Sequence, residues 1–135
     1  GNFLKQENIF KVNLNSFEEI LNKFSNLSFL QKSDINDIIN KASNNNFYSY
    51  LGLKIGIIFH KLNTKNSQDS TLIAINEREL DINSKKISTV ILINSNCEKK
   101  YRGIIYNFVK LFLLNNEFSF NNNRLSIYDY LISNI

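Results

Sequence analysis

Imidazole is the side chain whose ordinary titration leaves it both neutral and nucleophilic near neutral pH, and this chain holds one, His60. It stands near the end of residues 53–62, Leu-Lys-Ile-Gly-Ile-Ile-Phe-His-Lys-Leu. Ile55, Ile57, Ile58 and Phe59 are β-branched or aromatic and suit a strand buried on both faces, whereas the polar run from Lys61 to Ser70 must leave the sheet. His60 is therefore expected where a buried strand opens into a loop, an address at which a rigid scaffold fixes a reactive side chain while the loop admits a partner. The same address suits a histidine that only satisfies a strand end. Cys97 is the one cysteine, so no internal disulfide is available. Beside Glu98 it is expected to be an inert loop residue. No His/Cys pattern has metal-ligand spacing, and neither a metal nor another cofactor is expected.

The cations do not form a site of their own. Lys and Arg exceed Asp and Glu by a net charge of +4, but they are scattered, and the pairs Lys85-Lys86 and Lys99-Lys100 are the densest runs. Such a surplus serves solvation, and this domain itself is not expected to bind DNA. With 135 residues, 43% of them hydrophobic, the chain suits a single domain with a two- or three-layer core. No apolar run approaches the roughly 18–20 residues of a membrane-spanning helix, so no membrane insertion is expected, and a cytoplasmic location fits the cysteine usage. The chain opens on Gly1 without Met and is rich in Asn, Ile and Lys. A segment of a longer gene product from an AT-rich genome is the corresponding expectation.

The elements that must position His60 follow from periodicity. Phe10, Val12 and Leu14 alternate with polar residues as in a half-buried strand. Ser16 and Glu19 have the spacing of a capping box, and Phe17, Ile20, Leu21 and Phe24 continue at helical spacing. A second helix opens at Ser33, with Asp34 and Asp37 in the first turn, where the helix dipole favours them, and Ile35, Ile38, Ile39 and Ala42 as its apolar stripe. Residues 43–50 lack a clean period and suggest a loop. Residues 62–70 suggest a flexible flap beside His60. Residues 71–75 suggest a strand, 77–86 a charged connection, and 87–93, Ile-Ser-Thr-Val-Ile-Leu-Ile, a central strand. After a loop at 94–100, Ile104, Ile105, Phe108, Leu111 and Phe112 define a long amphipathic helix, and residues 124–135 a terminal one. Strands flanked by helices on both sides in sequence predict an α/β three-layer sandwich, with a mixed central sheet of four to five strands and helices on both faces.

In this order and spacing the chain resembles the enzyme IIA domain of the sugar phosphotransferase system, of the fructose and mannitol class. Ile57-Ile58-Phe59-His60 stands where that family has Ala-Ile-Pro-His, with Gly52 and Gly56 upstream as echoes of its glycines. Glu79-Leu80-Asp81-Ile82-Asn83 loosely matches its Lys-Pro-Ile-Asp-Trp-like segment, residues 87–93 match its second apolar strand, and residues 101–112 its helix. The likeness covers almost the whole length. Three departures stand out: Phe59 replaces the proline before the histidine, Asn44-Asn45 fall at the Arg-Glu pair, and Tyr101 falls at the assisting histidine.

The resemblance implies a phosphoryl acceptor at His60, an assisting role for Tyr101, and phosphate contacts from Asn44 and Ser49. Asn44 and Tyr101 donate hydrogen bonds but supply no positive charge. Lys54, Lys61 and Arg102 lie near in sequence and could compensate, although solvated surface cations are the simpler account of them. The implied partners are a histidine-containing phosphocarrier protein or a transporter IIB domain. Enzyme IIA-like domains with eroded sites suit the C-terminal end of transcription activators and antiterminators, in which phosphorylation reports sugar supply and a homodimer forms through the full-length regulator. The expected function is thus a phosphorelay-linked regulatory domain of the enzyme IIA type. The alternatives are an active phosphotransferase subunit feeding a sugar transporter, and a module that binds a partner without phosphorylation.

Overall fold

A computed structural model describes residues 4–27, 30–50, 52–62, 69–96, 98–114, 120–121 and 123–134. In chain order the elements are β1 (Leu4–Val12), α1 (Phe17–Ser25), α2 (Lys32–Ser43), β2 (Tyr48–Tyr50), β3 (Ile55–Lys61), β4 (Ser70–Ile82), β5 (Lys85–Ser95), α3 (Glu98–Leu114) and α4 (Arg124–Asn134). The five strands form one sheet in the order β1-β4-β5-β3-β2. β1 runs parallel to β4 and β3 parallel to β5, while β4 and β5, and β2 and β3, are antiparallel. The expected mixed α/β sandwich is therefore the observed architecture.

Strand alternation divides the interior into two cores. Ile55, Ile57, Ile73, Ile91 and Ile93 point to one face, under Ile105, Phe108 and Phe112 of α3 and Ile127 and Leu131 of α4. Ile58, Leu72, Ala74, Val90 and Leu92 point to the other, under Ile20, Leu21 and Phe24 of α1 and Ile35, Ile38 and Ala42 of α2. Fully burying each Val, Leu, Ile or Phe among them stabilises the fold by about 1.5–3 kcal/mol. The central pair β3 and β5 is covered on both sides, which is why its sequence is a nearly continuous apolar run.

Local chemistry sets the boundaries. Ser16 caps α1, its Oγ accepting from Glu19 N at 3.2 Å, while the Glu19 carboxylate accepts from Asn15 N at 2.8 Å. Helix α2 starts at Lys32, with Gln31 as its cap, because the Asp34 carboxylate accepts from Gln31 N at 2.8 Å. Its other end closes with Asn46 N donating to Lys41 O and Asn45 N to Ala42 O. Asn45 sits at φ 62, the left-handed position that usually favours glycine in this kind of stop.

Three expectations are corrected. Residues 77–86 are not a connection but the outer part of the β4–β5 hairpin. Its turn is Asn83-Ser84, both at positive φ, as the twist of a two-residue hairpin turn demands. Residues 48–50, expected in a loop, form the short edge strand β2 against Ile55–Ile57. β5 continues to Ser95 and α3 begins at Glu98, so little of the loop expected at 94–100 remains. The flap expected at 62–70 falls mostly on residues 63–68, outside the described residues, as does Cys97. Among the described residues, no helix is long and apolar enough to cross a membrane.

Candidate functional site

His60 lies one residue before the end of β3, in register with Asn94 of β5. Strand alternation turns it to the same face as Ile58, under α2, and the ring is 1% exposed. Its Nε2 lies 2.9 Å from Asp34 Oδ1 and its Nδ1 3.6 Å from Asp37 Oδ2. The two aspartates are three residues apart, a spacing that places both on one side of α2, Asp34 in its first turn and Asp37 in its second rather than in the first as expected. The shorter contact is a hydrogen bond and the longer one is not. With Nε2–H donated to Asp34, the neutral ring carries its lone pair on Nδ1, a carboxylate-fixed tautomer of the kind used to aim an imidazole.

His60 belongs to a polar row across the sheet. Asn94 pairs in register with both His60 and Ser70, and its Nδ2 donates to Ser70 Oγ at 3.3 Å. His60 Nδ1 and Asn94 Oδ1 are buried without hydrogen-bond partners among the described residues. Both are acceptors in this tautomer, so the row calls for a donor.

Asn44 and Ser49 do not meet His60. Asn44 is the C-cap of α2, its Nδ2 turned back to Asn40 O at 3.0 Å. It lies seven residues, or about 10 Å of helix, beyond Asp37. Ser49 pairs with Gly56, four residues or about 13 Å along β3 from His60. Tyr101 lies in the first turns of α3, a helix packed on the sheet face opposite to the one His60 occupies; its side chain is outside the described residues. Lys54 pairs with Glu79, and Lys61 is exposed at the end of β3.

The elements that carry these residues nevertheless converge, one position out of step. Asn45, Tyr48, Phe59 and Arg102, the immediate neighbours of Asn44, Ser49, His60 and Tyr101, line one cleft of about 630 Å³ together with Lys41, Asn46, Phe47 and Ile105. On β3 the reason is the two-residue period: if Phe59 faces the cleft, His60 must face away. Lys41 Nζ lies 3.7 Å from Asp37 Oδ2, the same oxygen that approaches His60 Nδ1. Asp37 thus stands between the buried imidazole and the cleft. Among the described residues no group of three or more His, Cys, Asp and Glu is placed to hold a metal ion.

No protein-family model matches the chain, and no curated protein matches it by sequence. Among solved structures, the crystal structure of nitrogen regulatory protein IIA-Ntr from Neisseria meningitidis superposes with a TM-score of 0.67. The match is 13% identical and covers 96% of this chain and 88% of the other. The likeness is one of fold, and it extends over almost all of both chains.

Proposed function

We propose that this chain is a phosphorelay-linked regulatory domain of the enzyme IIA type in which His60 Nδ1 is the phosphoryl acceptor, its state read by a transcription regulator in response to sugar supply. The observation that carries this reading is the Asp34–His60 pair. In the neutral ring this pair holds the proton on Nε2 and leaves the nucleophilic lone pair on Nδ1, next to Asp37, whose side chain is 52% exposed. In transfer from the phosphohistidine of a carrier protein, the Nδ1–P bond forms as the carrier's N–P bond breaks. The proton stays on Nε2, donated to the Asp34 carboxylate, which balances the positive charge that develops on the ring.

Burial makes that step conditional. A 1% exposed ring gives no in-line approach, so the first two turns of α2 must swing out with Asp34 and Asp37 before phosphorus reaches Nδ1. A gated acceptor of this kind suits a reporter of phosphorelay state better than a transporter component with steady flux. Incubated with phosphoenolpyruvate, the general first enzyme and the histidine carrier protein, the wild-type domain should gain one acid-labile phosphoryl group by intact mass. His60→Ala should gain none. Asp37→Asn, which removes a negative charge from the path of an anionic donor, should label on the order of tenfold faster. If wild type stays unlabelled while a transporter-type domain is labelled, His60 is not an acceptor.

One observation favours a second reading. Phe59, which has no nucleophile, faces the cleft in which the neighbours of the expected site residues gather. That arrangement suits a regulatory module that binds its partner without taking a phosphoryl group.

A further inference from the structure

We propose that the cleft between the C-terminal end of α2, β2–β3 and the N-terminal part of α3 is a binding site for a nucleoside phosphate. Its volume, about 630 Å³, lies within the roughly 300–1,000 Å³ usual for small-ligand pockets. Among the described residues that line it there is no carboxylate, whereas Lys41 and Arg102 bring two cations and Asn45 and Asn46 two amides. The walls of the same cleft are aromatic: Phe47, Tyr48 and Phe59.

These two halves call for a ligand that is anionic at one end and a flat π-system at the other. Tyr48 is 55% exposed, unusual for so large a ring, and offers a face on which a base can stack. Phe47 is already covered on one side by Lys85 Nζ, 4.8 Å from the ring centroid, which adds a third cation at the rim. The amide of Asn45 is held at this rim by the helix stop described above, and its Oδ1 accepts from Lys85 Nζ. Lys41 has only a long contact to Asp37, at 3.7 Å, and can turn to a phosphate at little cost. A planar base covers more of the aromatic walls than a sugar does, and an apolar ligand would take water from Lys41 and Arg102 without supplying an anion. The site is independent of whether His60 carries a phosphoryl group.

Calorimetric titration of the whole domain with ADP, adenosine and pyrophosphate tests this. ADP joins both halves and should bind at least about tenfold more tightly than either fragment. Tyr48→Ala should weaken ADP and adenosine by roughly 5- to 150-fold, the range for losing one stacked base, and leave pyrophosphate unchanged. Lys41→Gln should weaken ADP and pyrophosphate and leave adenosine unchanged. Both side chains are at the surface, and an unchanged circular dichroism spectrum confirms that the variants fold. Pyrophosphate binding as tightly as ADP would mean polyanion attraction alone and would overturn the proposal. So would the absence of ADP binding at millimolar concentration, or ADP affinity that neither substitution changes.

Discussion

Removing the Asp34 carboxylate should cost this fold more than any other single change at an α2 surface position. Asp34→Ala deletes two bonds at once: Oδ1 from His60 Nε2–H at 2.9 Å and Oδ2 from Gln31 N at 2.8 Å. The imidazole is 1% exposed, so its N–H finds no water in place of the carboxylate, and a buried donor left unmet costs about 1–3 kcal/mol. Loss of the cap contact adds about 1 kcal/mol. The sum, about 2–4 kcal/mol, divided by a urea slope of roughly 1.5 kcal/mol/M, lowers the unfolding midpoint by about 1–3 M. Asp34→Asn keeps the shape and one acceptor. Its amide oxygen can serve either His60 Nε2–H or Gln31 N–H but not both, so it should fall between wild type and Asp34→Ala. A double-mutant cycle with His60→Phe should return a coupling of at least about 1 kcal/mol. Urea titrations followed by circular dichroism measure all five proteins, the double mutant included. If Asp34→Ala and Asp34→Asn unfold together, within about 0.5 kcal/mol of wild type, then the imidazole is solvated and the pairing argument fails.

Phe59→His would place an imidazole in the cleft beside Lys41 and Arg102, where charged donors can meet a phosphoryl group; labelling by the phosphocarrier system should then exceed that of wild type by on the order of tenfold. Equal labelling would show that the carrier does not dock at the cleft. At the β4–β5 hairpin, the hydrogen bond and charge of Asp81 raise the Lys86 pKa above its ordinary value of 10.5, with Lys86 Nζ 2.6 Å from Asp81 Oδ2. A raised folded-state value means the pair favours folding below pH 10.5 and loses that effect as pH rises through the folded-state pKa. NMR titration of the Lys86 Cε protons should show a midpoint that falls in Asp81→Asn, and an unchanged midpoint would refute the assignment.

Much of this fold was legible because its signals are local. Ile87 to Ile93 and Ile55 to Phe59 announce central strands by composition alone, and Ser16 with Glu19 announces the start of α1. Leu80 and Ile82 alternate with Glu79 and Asp81 as a strand does, but Asn83-Ser84 lacks the glycine that usually marks a hairpin turn, and the charges suggested a connection. β2 is three residues long and exists by pairing with β3, which no period within it could show. Of the candidate site, the residue types and spacing mark only His60. The helix dipole accounts for Asp34 and Asp37 without any partner, nothing in their spacing names His60, and Asn94, directly after an apolar strand, has the look of the first residue of a loop. The one-residue offset that puts Phe59, not His60, in the cleft is a matter of strand facing. Sequence order is the same for either facing, so only the packed sheet decides it.

The order β1-β4-β5-β3-β2 also implies an order of assembly. β4 and β5 meet across a two-residue turn, with Ile82 opposite Lys85, and β2 and β3 across four residues, with Tyr50 opposite Ile55. β1 instead finds its partner far down the chain, Phe10 opposite Ala74. Loop closure favours the short-range hairpins first and charges the long-range pairing its full entropy only once a template exists. β1 is then the last strand to dock and the first to leave, and α4, packed against it, leaves with it. Native-state amide exchange should find β1 opening at a free energy below that of β5. His60, inside the sheet, would stay covered through that opening, so the breathing of this domain and the uncovering of its imidazole are separate motions.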